Sequence, residues 1–151
     1  MSAEDNLKRL HITLPEAPVP VATYVPAVQV GDLLFVSGHG PSKNGAIKRG
    51  KVGKDLTLEQ GQQVARDVGM NLLATVRKHL GSLDKVKRVV KVLGMVNAAS
   101  NFEDHPKVIN GFSDLMVEIF GENGKHARSA VGMGSLPNDI PVEIEFILQL
   151  N

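Results

Sequence analysis

The sequence predicts an α+β fold: a single mixed β-sheet with two helices packed on one face. Two segments repeat apolar residues at helical spacing, each behind a capping residue and ahead of a stopping glycine. Five short runs are rich in β-branched residues or alternate in polarity, and the order reads strand, strand, helix, strand, helix, strand, strand. At 151 residues the chain is one domain by length, able to bury roughly 68 to 70% of its unfolded surface without disulfides or metals.

Taken in order, Ser2 and Asp5 form a capping box that opens a short helix carrying Leu7 and Leu10. Pro15, Pro18 and Pro20 then hold the chain extended, so residues 1–22 read as an N-terminal helix and arm and 23–151 as the globular domain. Tyr24 to Val30 and Leu33 to Ser37 read as a hairpin turning on Gly31-Asp32, with Pro26 marking an edge or a bulge. Pro41 to Asp55, rich in glycine and lysine, reads as a solvated loop with room for an irregular edge strand. Thr57 and Gln60 make a second capping box, and Val64, Val68, Leu72, Val76 and Leu80 recur every fourth residue up to Gly81. Gly61 and Gly69 each cost about 1 kcal/mol relative to alanine within a helix, which points to close approach against the sheet. Lys85 to Val96 is apolar at both parities toward its end, as a central strand requires. Asp104 caps the second helix, Pro106 fits its first turn, and Val108, Phe112, Leu115, Met116 and Ile119 form its apolar face before Gly121. His126 to Leu150 supplies the last two strands across the turn GSLPNDIP.

Composition narrows the function. Without cysteine, thiolate metal sites and a cysteine nucleophile are excluded, and a reducing, cytoplasmic location is expected. The N-terminus lacks the apolar core of a signal peptide, and no apolar run approaches membrane-spanning length. A net charge of +1, one tyrosine, five phenylalanines and no tryptophan argue against a nucleic-acid partner. Covering only one face of the sheet leaves the other for a partner subunit, so oligomerisation is expected.

Several local patterns fail on chemistry. Gly45, Gly50 and Lys51 have P-loop spacing, but Val52 stands where a magnesium-binding hydroxyl is needed. The Ser37 of FVSGHG lacks the first glycine of a hydrolase elbow. His11, His39, His79, His105 and His126 show no metal-binding spacing and read as solvated or singly hydrogen-bonded, with His39 the candidate for a cleft position at a strand end.

The chemistry concentrates in the last two strands. Val142, Ile144, Phe146, Leu148 and Leu150 take the helix-covered face, leaving Glu143, Glu145, Ile147 and Gln149 on the other. With Ser129, Val131 and Met133 on the covered face, Arg128 and Ala130 point the same way as Glu143. The pair reads either as a plain ion pair, worth about 0 to 1 kcal/mol at a surface, or as a site in which Arg128 grips a carboxylate and Glu143 handles a proton or a water.

YVPAVQVGDLLFVSGHGP, the long helix with its glutamine, VKVLGMV, and ARSAV with LPNDIPVEIE together resemble the RidA/YjgF family of reactive-intermediate deaminases, from about Tyr24 to the C-terminus. That resemblance implies a fold similar to bacillus-type chorismate mutase, a homotrimer with clefts between subunits, and hydrolysis of enamines and imines to 2-oxo acids and ammonia. It implies no cofactor and no metal. By the same resemblance Arg128 binds the substrate carboxylate, Glu143 attends the attacking water, Tyr24 lines the cleft, and Ser37 and Gly38 form its floor, with His39 beside them. Ala130 keeps the backbone oxygen that helps hold the water. The sequence departs from the family pattern at Thr23, His39 and His126, and a longer connection after Asn97 leaves the match of Asn110 to a cleft asparagine open. A non-catalytic trimer binding small carboxylates is the alternative, and ribonuclease action, a label some relatives carry, is opposed by the charge and the scarce aromatics.

Overall fold

The computed structural model describes residues 1–20, 22–42 and 49–151. Its elements are α1 (Ala3–Arg9), β1 (Ala27–Val30), β2 (Leu33–His39), α2 (Leu58–Leu80), β3 (Val86–Asn97), α3 (His105–Phe120), β4 (Ala127–Met133) and β5 (Val142–Leu150). The five strands form one sheet in the order β1-β2-β5-β3-β4, antiparallel throughout except for the parallel pair β3 and β4. This is the α+β architecture expected. Of the P-loop-like stretch, residues 45–48 lie outside the described residues; beyond them Val52 makes isolated bridges to Leu56 and Ala98.

The last two strands do not pair with each other. α3 carries the chain back over the sheet, so β4 runs parallel to β3 on its outer side, as a crossover connection requires. β5 then turns back and fills the centre between β2 and β3. The residues that read as a terminal hairpin are therefore separated by a whole strand. β1 is shorter than expected and starts after Pro26, which has no N–H to give a ladder; the Pro26 carbonyl accepts from the Ser37 N–H at 2.9 Å.

Both capping boxes form, Ser2 with Asp5 and Thr57 with Gln60, and Gly81 ends α2 in the left-handed conformation at φ 87°. Asp104 occupies the cap position of α3, but its side chain makes no capping bond and instead faces Lys107 at 3.4 Å. α2 and α3 cover the sheet through Val68, Leu72 and Val76 and through Val108, Phe112, Leu115, Met116 and Ile119, all 0% exposed. Phe112 meets Phe146 of β5 edge to face, with centroids 5.8 Å apart. α1 docks onto this layer: Leu7 is buried, Glu4 pairs with Arg77 at 2.6 Å, and Asn6 Nδ2 donates to the Ile119 carbonyl at 2.9 Å.

The helical glycines serve close approach, but chiefly between the helices, not against the sheet. A Cβ on Gly69 would lie 2.9 Å from Leu115 and 3.1 Å from Phe112, both on α3, and one on Gly61 would crowd Val52 and Val108. At the crossing, a Cβ on Gly111 would run into the backbone carbonyl of Gln62. Backbone cannot yield as a flexible side chain can. Gly111→Ala is therefore expected to destabilise the protein by about 3 kcal/mol, the upper end of overpacking costs, read as a lower urea midpoint with unchanged helix content.

Candidate active site

Glu143 projects from β5 onto the face the helices leave bare, in register with Met95 of β3 and, through it, Val131 of β4. Its carboxylate lies against β2 at Gly38, where an added Cβ would come within 2.6 Å of Oε2. Only glycine leaves that space. A bulge creates the contact: between Val36, paired with Phe146, and His39, paired with Ile144, β2 has one residue more than β5. Ser37 is on the same bulge, and its hydroxyl donates to the Val25 carbonyl at 2.7 Å, fastening the segment that carries Tyr24. Burial, aided by the charge of Glu145, pushes the Glu143 carboxyl above the ordinary carboxylate range.

Arg128 lies elsewhere. Its register partner on β3 is Val92, which pairs with Phe146 on β5, and both are core residues of the covered face. Arg128 accordingly points toward α3, where Nη1 donates to Asn110 Oδ1 at 2.8 Å and to Ser113 Oγ at 3.1 Å. Arg128 and Glu143 therefore occupy opposite faces of the sheet, contrary to the shared face expected of a terminal hairpin. The cause is the strand order. With β3 between β4 and β5, facing is set by the register Arg128–Val92–Phe146, which puts Arg128 in line with the inward residues. Two strand spacings across and three residues along separate the Cα atoms by about 14 Å, and at that range two solvated charges interact by only about 0.3 kcal/mol. Within one protomer the two groups form neither an ion pair nor a cleft.

Ala130 shares Arg128's side of β4 and packs against the core; β4 is an edge strand, and among the described residues one side of its backbone has no strand to pair with. The bare face is partly apolar, with Val28 50%, Phe35 42% and Val131 39% exposed.

Comparison with known proteins decides the lineage. Residues 4–142 match the family model described as "YjgF/chorismate mutase-like, putative endoribonuclease". This chain belongs to the RidA/YjgF family. Protein TCP17 of Trypanosoma cruzi is 42% identical over 97% of this chain and 92% of its own. A protein named 2-iminobutanoate/2-iminopropanoate deaminase from Dermatophagoides farinae is 32% identical over 91% of this chain and 93% of its own. Among solved structures, the Agrobacterium tumefaciens protein Atu1372, titled as of unknown function, superposes with a TM-score of 0.89 at 42% identity, covering 99% of this chain and 92% of its own.

Within this RidA/YjgF chain the remaining candidates divide. Tyr24 is 49% exposed in a bend before β1, free to line a cleft, and Ser37 and Gly38 adjoin Glu143 as described. His39 does not face the bare side. The extra residue in the bulge reverses its direction, so the ring is 8% exposed beneath α2, with Nδ1 2.7 Å from the Ser37 carbonyl and Nε2 2.7 Å from Thr75 Oγ1. It is a core histidine. Asn110, left open by the sequence, reaches Arg128. Ser113 and His126 were not candidates at all. Their signal was the i, i+3 spacing of Asn110 and Ser113 on one helix face, together with His126 two residues before Arg128, just ahead of β4.

Burial lowers the His39 pKa from its ordinary 6.5, and His126 is lowered too, first by burial and then by the Arg128 charge. Because the unfolded chain takes up these protons before the folded one does, stability is complete above about pH 6.5 and declines as pH falls toward the folded values. His39→Gln should flatten the fall in Tm between about pH 6.5 and 5, leaving the part due to His126. Glu143 has the opposite sign: its raised folded pKa means stability declines as pH rises above the ordinary value of 4.5. Thermal melts across pH should therefore show Glu143→Gln melting higher than the parent protein at pH 7.

Proposed function

We propose that this protein hydrolyses small enamines and imines to 2-oxo acids and ammonia, in a homotrimer whose clefts join Arg128 of one protomer to Glu143 of the next. The observation that carries this reading is the state of the two groups. Arg128 is held at the sheet edge by two hydrogen bonds, Glu143 is half-buried beside a glycine with its proton affinity raised, and the two are too far apart to serve each other within one chain. The partly exposed Val28, Phe35 and Val131 favour covering the bare face with another copy. The deaminase name of the 32% identical mite relative supports the reaction class.

Arg128 would grip the substrate carboxylate through the planar fork that lysine lacks. The imine carbon then lies next to a water oriented by Glu143. As the water oxygen bonds to the carbon of the protonated imine, one water proton passes to the Glu143 carboxylate and a neutral carbinolamine forms. Glu143 then gives that proton to the amine nitrogen, the C–N bond breaks to release ammonia as C=O forms, and the hydroxyl proton leaves to solvent. A carboxyl whose pKa lies nearer neutrality suits both directions of transfer. A cytoplasmic setting agrees with the absence of cysteine.

The test is ammonia release from freshly generated 2-iminopropanoate. The unmodified protein should accelerate it, and Arg128→Ala should lower kcat/KM by about 100-fold or more with the oligomer intact. Co-refolding equal amounts of Arg128→Ala and Glu143→Ala should restore about a quarter of the sites, since each shared site then has one chance in four of two intact halves. No acceleration by the unmodified protein rejects the reaction; if 2-oxo acids still bind in an Arg128-dependent way, the carboxylate-binding alternative takes its place. Arg128-dependent RNA cleavage by a nuclease-controlled preparation would reject it in favour of ribonuclease action. Zero restoration in the mixture would place both groups' roles within one chain.

A further inference from the structure

A directed hydrogen-bond chain runs away from Arg128 into the protein. His126 Nδ1 lies 2.7 Å from the Gly124 carbonyl, and His126 Nε2 lies 2.9 Å from Ser113 Oγ, which in turn receives Arg128 Nη1 at 3.1 Å. The chemistry of the ends fixes the proton positions for a neutral imidazole. A carbonyl only accepts, so Nδ1 carries the imidazole proton. A guanidinium only donates, so Ser113 Oγ accepts from Arg128 and directs its own proton to Nε2, which accepts in the neutral ring. Phe112 holds the imidazole edge to face at a centroid distance of 6.0 Å.

We propose that His126 and Ser113 are positioning residues that fix the orientation of the Arg128 guanidinium, with His126 acting only as the neutral Nδ1–H tautomer. This rests on Arg128 being the carboxylate-binding group of the proposed function. Without the chain, Arg128 keeps a single anchor at Asn110 and swings about it. If His126 were charged, Nε2 would donate to Ser113 and a second cation would stand one hydroxyl away from the guanidinium. Burial and the Arg128 charge both favour the neutral ring. The other charged groups nearby are engaged elsewhere: Lys125 pairs with Glu122 at 2.8 Å, and Arg88 of β3 donates to the Lys125 carbonyl at 3.4 Å.

The test combines NMR of His126 in the full-length protein with binding of pyruvate and turnover of 2-iminopropanoate. The ring nitrogens should report the Nδ1–H tautomer at pH 7, and Arg128→Ala should raise the pKa of His126 by removing a like charge. Ser113→Ala and His126→Phe should each weaken pyruvate binding and raise KM by about tenfold, the worth of a hydrogen bond to a charged group, while kcat changes less. Ser113→Thr, which keeps the hydroxyl, should restore both. An Nε2–H tautomer, or a His126 pKa identical in the parent protein and in Arg128→Ala, overturns the proposal, as does unchanged binding in folded Ser113→Ala and His126→Phe. Should the parent protein release no ammonia, the reaction assigned above fails, whereas the tautomer and the His126 pKa still decide the positioning roles.

Discussion

The arrangement depends on one constraint: β3 is flanked on both sides, antiparallel to β5 and parallel to β4. Its outward half can be wet, but its last residues, Met95 to Asn97, are buried, and the core register Val92–Phe146 runs through its middle. A parallel neighbour demands a crossover, which α3 supplies, and a crossover places a helix over the residues of β4 that face inward. Arg128 is one of these. Asn110 and Ser113 on α3 therefore meet the guanidinium because of the topology, while on the other face it is the β2 bulge that brings Gly38 against Glu143.

Stability and chemistry pull against each other at these points. Half-burying a carboxylate beside another carboxylate is unfavourable, and among the described residues no cation pairs with Glu143. Strained or frustrated groups of this kind persist at functional sites when the surrounding packing holds them in place. Here the packing comes from the helix layer, where Gly111 and Gly69 let α2 and α3 approach closely over Phe112, Leu115 and Met116.

Most of the fold was legible in the sequence because its signals are local. Both capping boxes, the four-residue repeat of α2, the apolar face of α3 and the Gly31-Asp32 turn each rest on residues a few positions apart. The strand order was not legible, since nothing local distinguishes a terminal hairpin from two strands parted by a third. That single error reversed the facing of Arg128. His39 failed for a related reason: alternation along β2 cannot be carried through an unseen extra residue. The candidate site residues were suggested by resemblance, whereas the contacts of Ser113 and His126 emerged only once α3 was laid over β4, because they span 13 to 15 positions.

The bulge at Ser37-Gly38 also bears on how this lineage can vary. Adjacent residues there serve separate ends, Gly38 making room for a carboxylate outside and His39 sealing the underside of α2 within. Point substitutions can retune either one alone. A one-residue deletion in that short window would remove the bulge: His39, opposite Ile144, would still face inward by plain alternation from Val36, but a single residue would be left to do the work of two. Either the Ser37 tie to the Val25 carbonyl or the open space beside Glu143 would then be lost.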